Sequence, residues 1–206
     1  MGYSEVEMCS PLGYQGTGFE NLHHLTGTEM KSIIEEAGLT CSSSHFTQGE
    51  LQNDLDNRIE WARQMGMTQM VCSMLRVPTD ASMEDWINAA RELNEIGKLT
   101  EAEGIQMVYH NHHFEFVEID GVLIYPELMK VLDPDLVKMQ FQVAVIEQGF
   151  KAQDYFREYP GRFISAHLAD YSVEKKTQVP LGQGVVDWED LFKAAKTGGV
   201  ENFFVE

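Results

Sequence analysis

The segment Tyr109-His110-Asn111-His112-His113-Phe114-Glu115-Phe116 concentrates the side chains that do chemistry. Three imidazoles, one amide and one carboxylate fall within six positions. Imidazole and carboxylate are the groups that hold divalent metals and move protons near neutral pH. The segment directly follows Ile105-Gln106-Met107-Val108, a run with the composition of a buried strand. An α/β protein builds its reactive site where strands end and the chain turns from apolar to ligand-rich. This density at one strand end therefore reads as a site, not as a polar loop with surface histidines.

The elements that position it alternate from end to end. β-type runs cover Tyr3–Met8, Leu39–Phe46, Thr68–Leu75, Ile105–Asn111, Val137–Val143, Arg162–Leu168 and Asn202–Glu206, with helical patterns near 27–37, 51–65, 82–103, 124–132, 151–159 and 188–197 between them. Ser82 before Glu84 and Asp85 predicts an N-cap, Asp187 predicts another, and Gly38, Gly66 and Gly104 close helices. Seven strands alternating with six helices predict a parallel sheet with right-handed crossovers, either a (β/α) barrel or an open doubly wound sheet. The stretch Leu12-Gly13-Tyr14-Gln15-Gly16-Thr17-Gly18 has neither the dinucleotide nor the Walker spacing and reads as a loop. No linker divides residues 1–206, which predicts one domain. A closed barrel takes eight strands and usually about 250 residues. The expectation is thus a truncated barrel, lacking the first strand–helix unit and the last helix. Its two open strand edges would invite pairing with a second copy, a homo-oligomer.

Composition narrows the partners. The chain of 206 residues is 43% hydrophobic, enough for one sizeable core. Its net charge of −18, from 33 acidic residues against 15 Lys and Arg, repels phosphate backbones and anionic lipid. Nucleic acid and membrane are thereby excluded as expected partners. No apolar run approaches the roughly 20 residues of a membrane span, and no signal peptide is visible, so a cytoplasmic protein is expected. Cys9, Cys41 and Cys72 are odd in number, widely spaced and without a CxxC, the pattern of reduced thiols.

Taken strand by strand, the C-terminal ends carry Glu7, His45, Arg76, the 110–115 cluster, Gln142, His167 and Glu206. In a barrel these positions converge on the face where active sites are built. Glu7 suits sugar hydroxyls or an ion pair at the rim, and His45 suits a substrate contact or a buried hydrogen bond. Trp188 could wall the site or pack in the first turn of its helix.

Tyr109-His-Asn-His-His-Phe-Glu-Phe116, Tyr159-Pro-Gly-Arg-Phe163, His167-Leu-Ala-Asp170 and Gly182-Gln-Gly-Val-Val-Asp-Trp188, with Val205-Glu206, occur in an order that resembles the sugar phosphate isomerase/epimerase family of xylose isomerase-like (β/α)8 TIM barrels. The resemblance runs from that family's second strand, matched by Gly2–Glu7, to its eighth. It implies a divalent metal (Mn, Mg, Co or Zn) held by two carboxylates, an Asp and a His from four strands. It also implies proton transfer beside the carbonyl of a small carbohydrate, giving isomerisation or epimerisation.

Carried over position by position, His167 matches the metal histidine, and Glu206 the final glutamate, both ligand and proton carrier. For the first glutamate, either His110 takes the ligand position or Glu115 reaches in from the loop as ligand and catalytic carboxylate. His112 falls nearer the substrate. Gln142 stands where the pattern has Asp, with Glu147 nearby, and a register shift of two would place Ala144 there instead. Ala169 stands where relatives commonly carry Lys. These two departures point towards a neutral sugar or keto-sugar derivative, or a glycoside processed by elimination. A non-catalytic sugar-binding protein on the same barrel, or a keto-glycoside lyase or hydrolase, is the alternative. Endonuclease chemistry on this scaffold is disfavoured by the charge of −18.

Overall fold

The computed structural model describes residues 2–14 and 16–206. Met1, and Gln15 within the glycine-rich loop read from the sequence, lie outside the described residues. The chain divides into two compact units. One holds the residues up to Val108 together with Val131–Val137, and the other holds Tyr109–Lys130 and Lys138–Glu206.

The first unit alternates β1 (Met8–Cys9), α1 (Gly27–Glu36), β2 (Ser43–Phe46), α2 (Gln48–Met65), β3 (Gln69–Cys72), α3 (Met83–Ala102) and the start of β4 (Gln106–His110). β1 pairs in parallel with β2, and β2 with β3. Helix starts follow their capping chemistry. Thr26 and Glu29 form a reciprocal capping box on α1, Ser82 and Asp85 another on α3, and Thr47 caps α2. Each such cap is worth about 1 kcal/mol. α1 and α2 pack so closely that a Cβ on Gly27 would lie 2.4 Å from the carbonyl oxygen of Trp61, which reserves that position for glycine.

The expected strand Tyr3–Met8 is broken. Glu5 bridges to Thr40, and regular pairing resumes only at Met8 opposite Ser44. Between them the Glu5 carboxylate accepts from the Ser42 N–H at 3.2 Å, which takes that donor from the ladder. α2 begins at Gln48, three residues earlier than the apolar periodicity indicates, because Thr47 supplies the cap.

The second unit contains the end of β4, the hairpin β5 (Glu118–Ile119) and β6 (Val122–Leu123), α4 (Ile124–Val131) except its last residue, β7 (Val137–Gln142) from its second residue on, α5 (Ala152–Glu158), β8 (Phe163–Leu168), the hairpin β9 (Asp170–Ser172) and β10 (Thr177–Val179), α6 (Trp188–Gly198) and β11 (Asn202–Val205). β8 lies between β7 and β11, parallel to both. Phe141 on β7 is fully buried and meets Phe116, Tyr125, Tyr155, Phe156 and Phe163 at ring-centroid distances of 5.3–6.1 Å. Alternation along the strand then sends Gln140 and Gln142 to the opposite face. The two hairpins were not anticipated from the sequence, because strands of two or three residues carry no readable period.

Candidate active site

The face of the second unit opposite its aromatic core is polar by register. Gln140 stands beside Ser165 and Gln142 beside His167, while Phe204 pairs His167 from the other side. Side chains at paired positions on neighbouring strands project the same way. His110 ends β4 and is 2% exposed. Its ring centroid lies 4.6 Å from that of His167 and 4.9 Å from that of His112. The nearest ligand nitrogens of His110 and His167 lie within 4.8 Å of each other.

Gln142 sits with its amide fixed in one sense. Its oxygen accepts from the Ala144 N–H at 3.1 Å, capping the 3-10 turn Val143–Gln148, and its nitrogen donates to a carboxylate oxygen of Glu206. Reversing the amide would set oxygen against carboxylate and nitrogen against N–H, so the network defines its orientation. The backbone N–H of Gln142 in turn donates to the Asn111 side-chain oxygen at 3.2 Å. The Glu206 side chain is exposed, while its backbone N–H bonds to the Leu168 carbonyl at 3.2 Å.

These side chains edge a cleft of about 180 Å³ lined by His112, His113, Gln142, Glu147, Gln178 and Glu206 with Ala144 and Val145. No Lys or Arg is among them. Gln178 arrives on the β9–β10 hairpin, paired with Tyr171.

Glu115 is placed differently. It is fully buried, accepts from the Tyr109 hydroxyl and, at 2.8 Å, from the His112 N–H, and does not line the cleft. Burial pushes its carboxyl up to about 7 against the lowering effect of those two donors. Both of its oxygens are thus committed to shaping the loop that carries His112.

Asp170 closes the segment behind the hairpin. Its carboxylate accepts from the N–H groups of Tyr171, Gly182 and Gly184 at 2.9 Å, from Val186 at 3.2 Å and from the Trp188 indole at 3.3 Å. Burial opposes its charge, but the donors outweigh it and hold the carboxyl below its usual range. Trp188, expected either at the site wall or in helix packing, is thus tied to Asp170, and its ring lies 5.9 Å from that of Phe192 one turn on. In the first unit, Glu7 and His45 meet each other: His45 Nε2 lies 3.1 Å from a Glu7 oxygen, and the Ser43 hydroxyl donates to the other at 2.5 Å.

Residues 1–206 match the family described as xylose isomerase-like TIM barrel. The chain belongs to this family. Among xylose isomerase-like relatives, the inosose dehydratase of Clostridium beijerinckii is 25% identical over 231 aligned positions, covering 94% of this chain and 77% of that protein. That of Bacillus cereus is 21% identical over the same shares. A sugar phosphate isomerase/epimerase from Parabacteroides distasonis superposes with a TM-score of 0.83 at 23% identity, covering all of this chain and 76% of that one. The IOLI protein, solved with a zinc atom, superposes at 0.74 with 14% identity, covering all of this chain and 79% of that one. The fold is therefore the α/β TIM-barrel type expected from the strand–helix alternation. No helix among the described residues is long and apolar enough to cross a membrane.

The xylose isomerase-like fold implies a divalent metal, and the donors here fit one. Ligand nitrogens sit about 2.0–2.1 Å from zinc, so two on one ion lie at most about 4.2 Å apart. The ligand nitrogens of His110 and His167, within 4.8 Å of each other, lie near that span. Sequence reasoning reached His110, His167, Gln142 and Glu206 through their strand-end positions. It gave no role to Asp170, Tyr109 or Gln178. The glycines at 182 and 184 after an Asp at 170 were the available signal for the first of these.

Proposed function

We propose that this chain is a metal-assisted enzyme that moves a proton at the carbon beside a carbonyl of a sugar or keto-sugar derivative, as an isomerase or epimerase. The observation that carries this reading is the close His110–His167 pair next to a cleft edged by the anchored carboxylate of Glu206. A divalent ion held by the two imidazoles supplies, when bound, a Lewis acid for charge that develops on the substrate oxygen.

The chain's own groups do the rest. Glu206 is the proton carrier, its carboxylate aimed by the Gln142 N–H. His112 and Gln178, both lining the cleft, offer polar atoms to substrate hydroxyls. Glu115 holds the loop bearing His112 in place through its N–H. A polar lining without a cation suits an uncharged, polyhydroxylated molecule better than a phosphorylated one.

Loss of water from the same activated carbon is the second reading. Two observations favour it: relatives are named inosose dehydratase, and Glu147 gives the cleft a second carboxylate to serve a leaving hydroxyl.

The test is exchange of solvent deuterium into a panel of free ketoses, keto-sugars and inososes, read by mass spectrometry with metal supplied. Exchange that disappears in Glu206→Gln supports proton transfer. An unsaturated product absorbing in the ultraviolet selects elimination. Ligand-induced thermal stabilisation without any exchange, in the presence of metal, overturns the enzyme reading in favour of sugar binding alone.

A further inference from the structure

We infer that the substrate of this cleft carries a second ring beyond the sugar that reacts, and that Phe114 is the surface on which this ring lies. The inference rests on the proposed reading of the cleft as a carbohydrate site and adds the class of molecule it takes. That class is an uncharged two-ring compound, a sugar joined to an aryl group or to another sugar, whose second ring has an apolar face.

A row of rings leads from the buried end of the site to its rim. The His110 ring, 2% exposed, lies 4.9 Å from that of His112, and the His112 ring lies 6.1 Å from that of Phe114. The Phe114 ring in turn packs at 3.9 Å against that of His113. His112 and His113 both line the cleft, so the phenyl group stands at its edge.

A single exposed apolar side chain is ordinary on a protein surface. Phe114 differs in how firmly it is held and in how little it does for the fold. In the 3-10 turn Phe114–Phe116, Glu115 and Phe116 are buried, with Phe116 stacked on Tyr125 at 4.6 Å, while Phe114 stays 42% exposed. The turn is fixed on both sides. The Glu115 oxygens accept from the Tyr109 hydroxyl and the His112 N–H, and the His113 carbonyl accepts from the Phe116 N–H at 3.2 Å and the Gln148 amide at 3.3 Å. The phenyl ring is therefore presented in a set place, and a ligand that covers it meets little ordering cost.

The cleft and the ring call for different chemistry. The amides, carboxylates and imidazoles of the lining suit hydroxyl groups. Phe114 offers an aromatic face and no hydrogen bond. A sugar carries hydroxyls at its edge and C–H groups on its face, and an aryl group carries C–H and π surface alone, so either lies well against a phenyl ring. One ring in the cleft and a second on Phe114 satisfy both surfaces at once. A free monosaccharide leaves the phenyl group uncovered.

The full chain, with metal supplied, is titrated calorimetrically with two matched pairs of uncharged probes: fructose against lactulose, and methyl β-glucoside against phenyl β-glucoside. We expect the two-ring member of a pair to bind at least about fivefold tighter than its one-ring partner, the scale of one aromatic contact. Phe114→Ala should bring it within about twofold of that partner while circular dichroism stays unchanged, and Phe114→Trp should restore the preference. A preference for lactulose alone assigns the second ring as a sugar, and one for phenyl β-glucoside alone assigns it as an aryl group. Equal affinities within both pairs, or a preference that persists in Phe114→Ala, overturn the platform and leave the carbohydrate reading intact. Binding of none of the probes removes that reading and this inference with it.

Discussion

The Gln142 side chain donates from its nitrogen to Glu206 while its oxygen caps the turn beginning at Val143, so one amide both shapes the backbone and aims the carboxylate. The two duties separate under substitution. Gln142→Leu loses both and, by the cap alone, should cost about 1 kcal/mol. Gln142→Glu keeps a capping oxygen but sets a second carboxylate against Glu206. We expect it to fold like the wild type, with turnover in the deuterium-exchange assay down at least about tenfold, the scale of a lost charge-assisted hydrogen bond. Full activity in Gln142→Glu would remove Gln142 from the positioning of Glu206.

Glu115 makes stability depend on pH in a direction opposite to most carboxylates. Its carboxyl titrates near 7 when folded, against an ordinary value of 4.5, because burial disfavours the charge. The folded chain holds this proton more tightly than the unfolded one. Its contribution is thus fully present below about 4.5 and lost as pH rises through about 7. Glu115→Gln, which keeps an acceptor and removes the titration, should flatten the melting-temperature profile across that window and gain relative to wild type at its alkaline end. Parallel profiles for the two proteins, recorded by calorimetry, would contradict this.

Asp170 titrates in the usual sense. Its carboxyl is held below its ordinary value of 3.8, so its contribution is present above that pH and lost as pH falls through the folded value. Asp170→Ala strands four backbone N–H groups and the Trp188 indole. We expect a loss of about 3 kcal/mol, or roughly 6–12 °C in melting temperature. A shift within about 2 °C would mean that water replaces the carboxylate at little cost.

Gly184 is fixed by contact. A Cβ there would stand 2.1 Å from the Asp170 carboxylate and 2.4 Å from the Tyr171 carbonyl oxygen. Gly184→Ala should therefore destabilise by about 2 kcal/mol through overpacking, visible in the denaturant midpoint. Gly182→Ala has open space around its Cβ but a φ of +83°. It should cost about 1 kcal/mol from conformation alone, and equal losses in the two variants would set the steric account aside.

The strand–helix alternation was legible because buried parallel strands read as short apolar runs and the helices between them carry an amphipathic period. The hairpins were not. β5–β6 turns on Asp120 and Gly121, both at positive φ, and only that dipeptide marks it. β9–β10 reverses near Lys176, at φ 52°, a residue type that does not announce the left-handed conformation. At the site, strand-end position pointed to His110, His167 and Glu206, and the family resemblance supplied their expected roles. The sense of the Gln142 amide was hidden, because it depends on where the Ala144 N–H falls once the turn has formed. The commitment of Glu115 was hidden for a similar reason: it requires the Tyr109 hydroxyl to turn back across six residues.

Asp170 gathers N–H groups from 12, 14 and 16 residues further along, so the chain leaves and returns through a single knot. Everything between, including Gln178 at the cleft, is an excursion whose ends do not depend on its length. Closing a loop costs only about 0.6 kcal/mol more for each doubling. Selection can therefore lengthen, shorten or rewrite this hairpin while His167 and Glu206 stay where β8 and β11 put them. The carboxylate that ties the knot makes the segment an interchangeable cassette for new substrates.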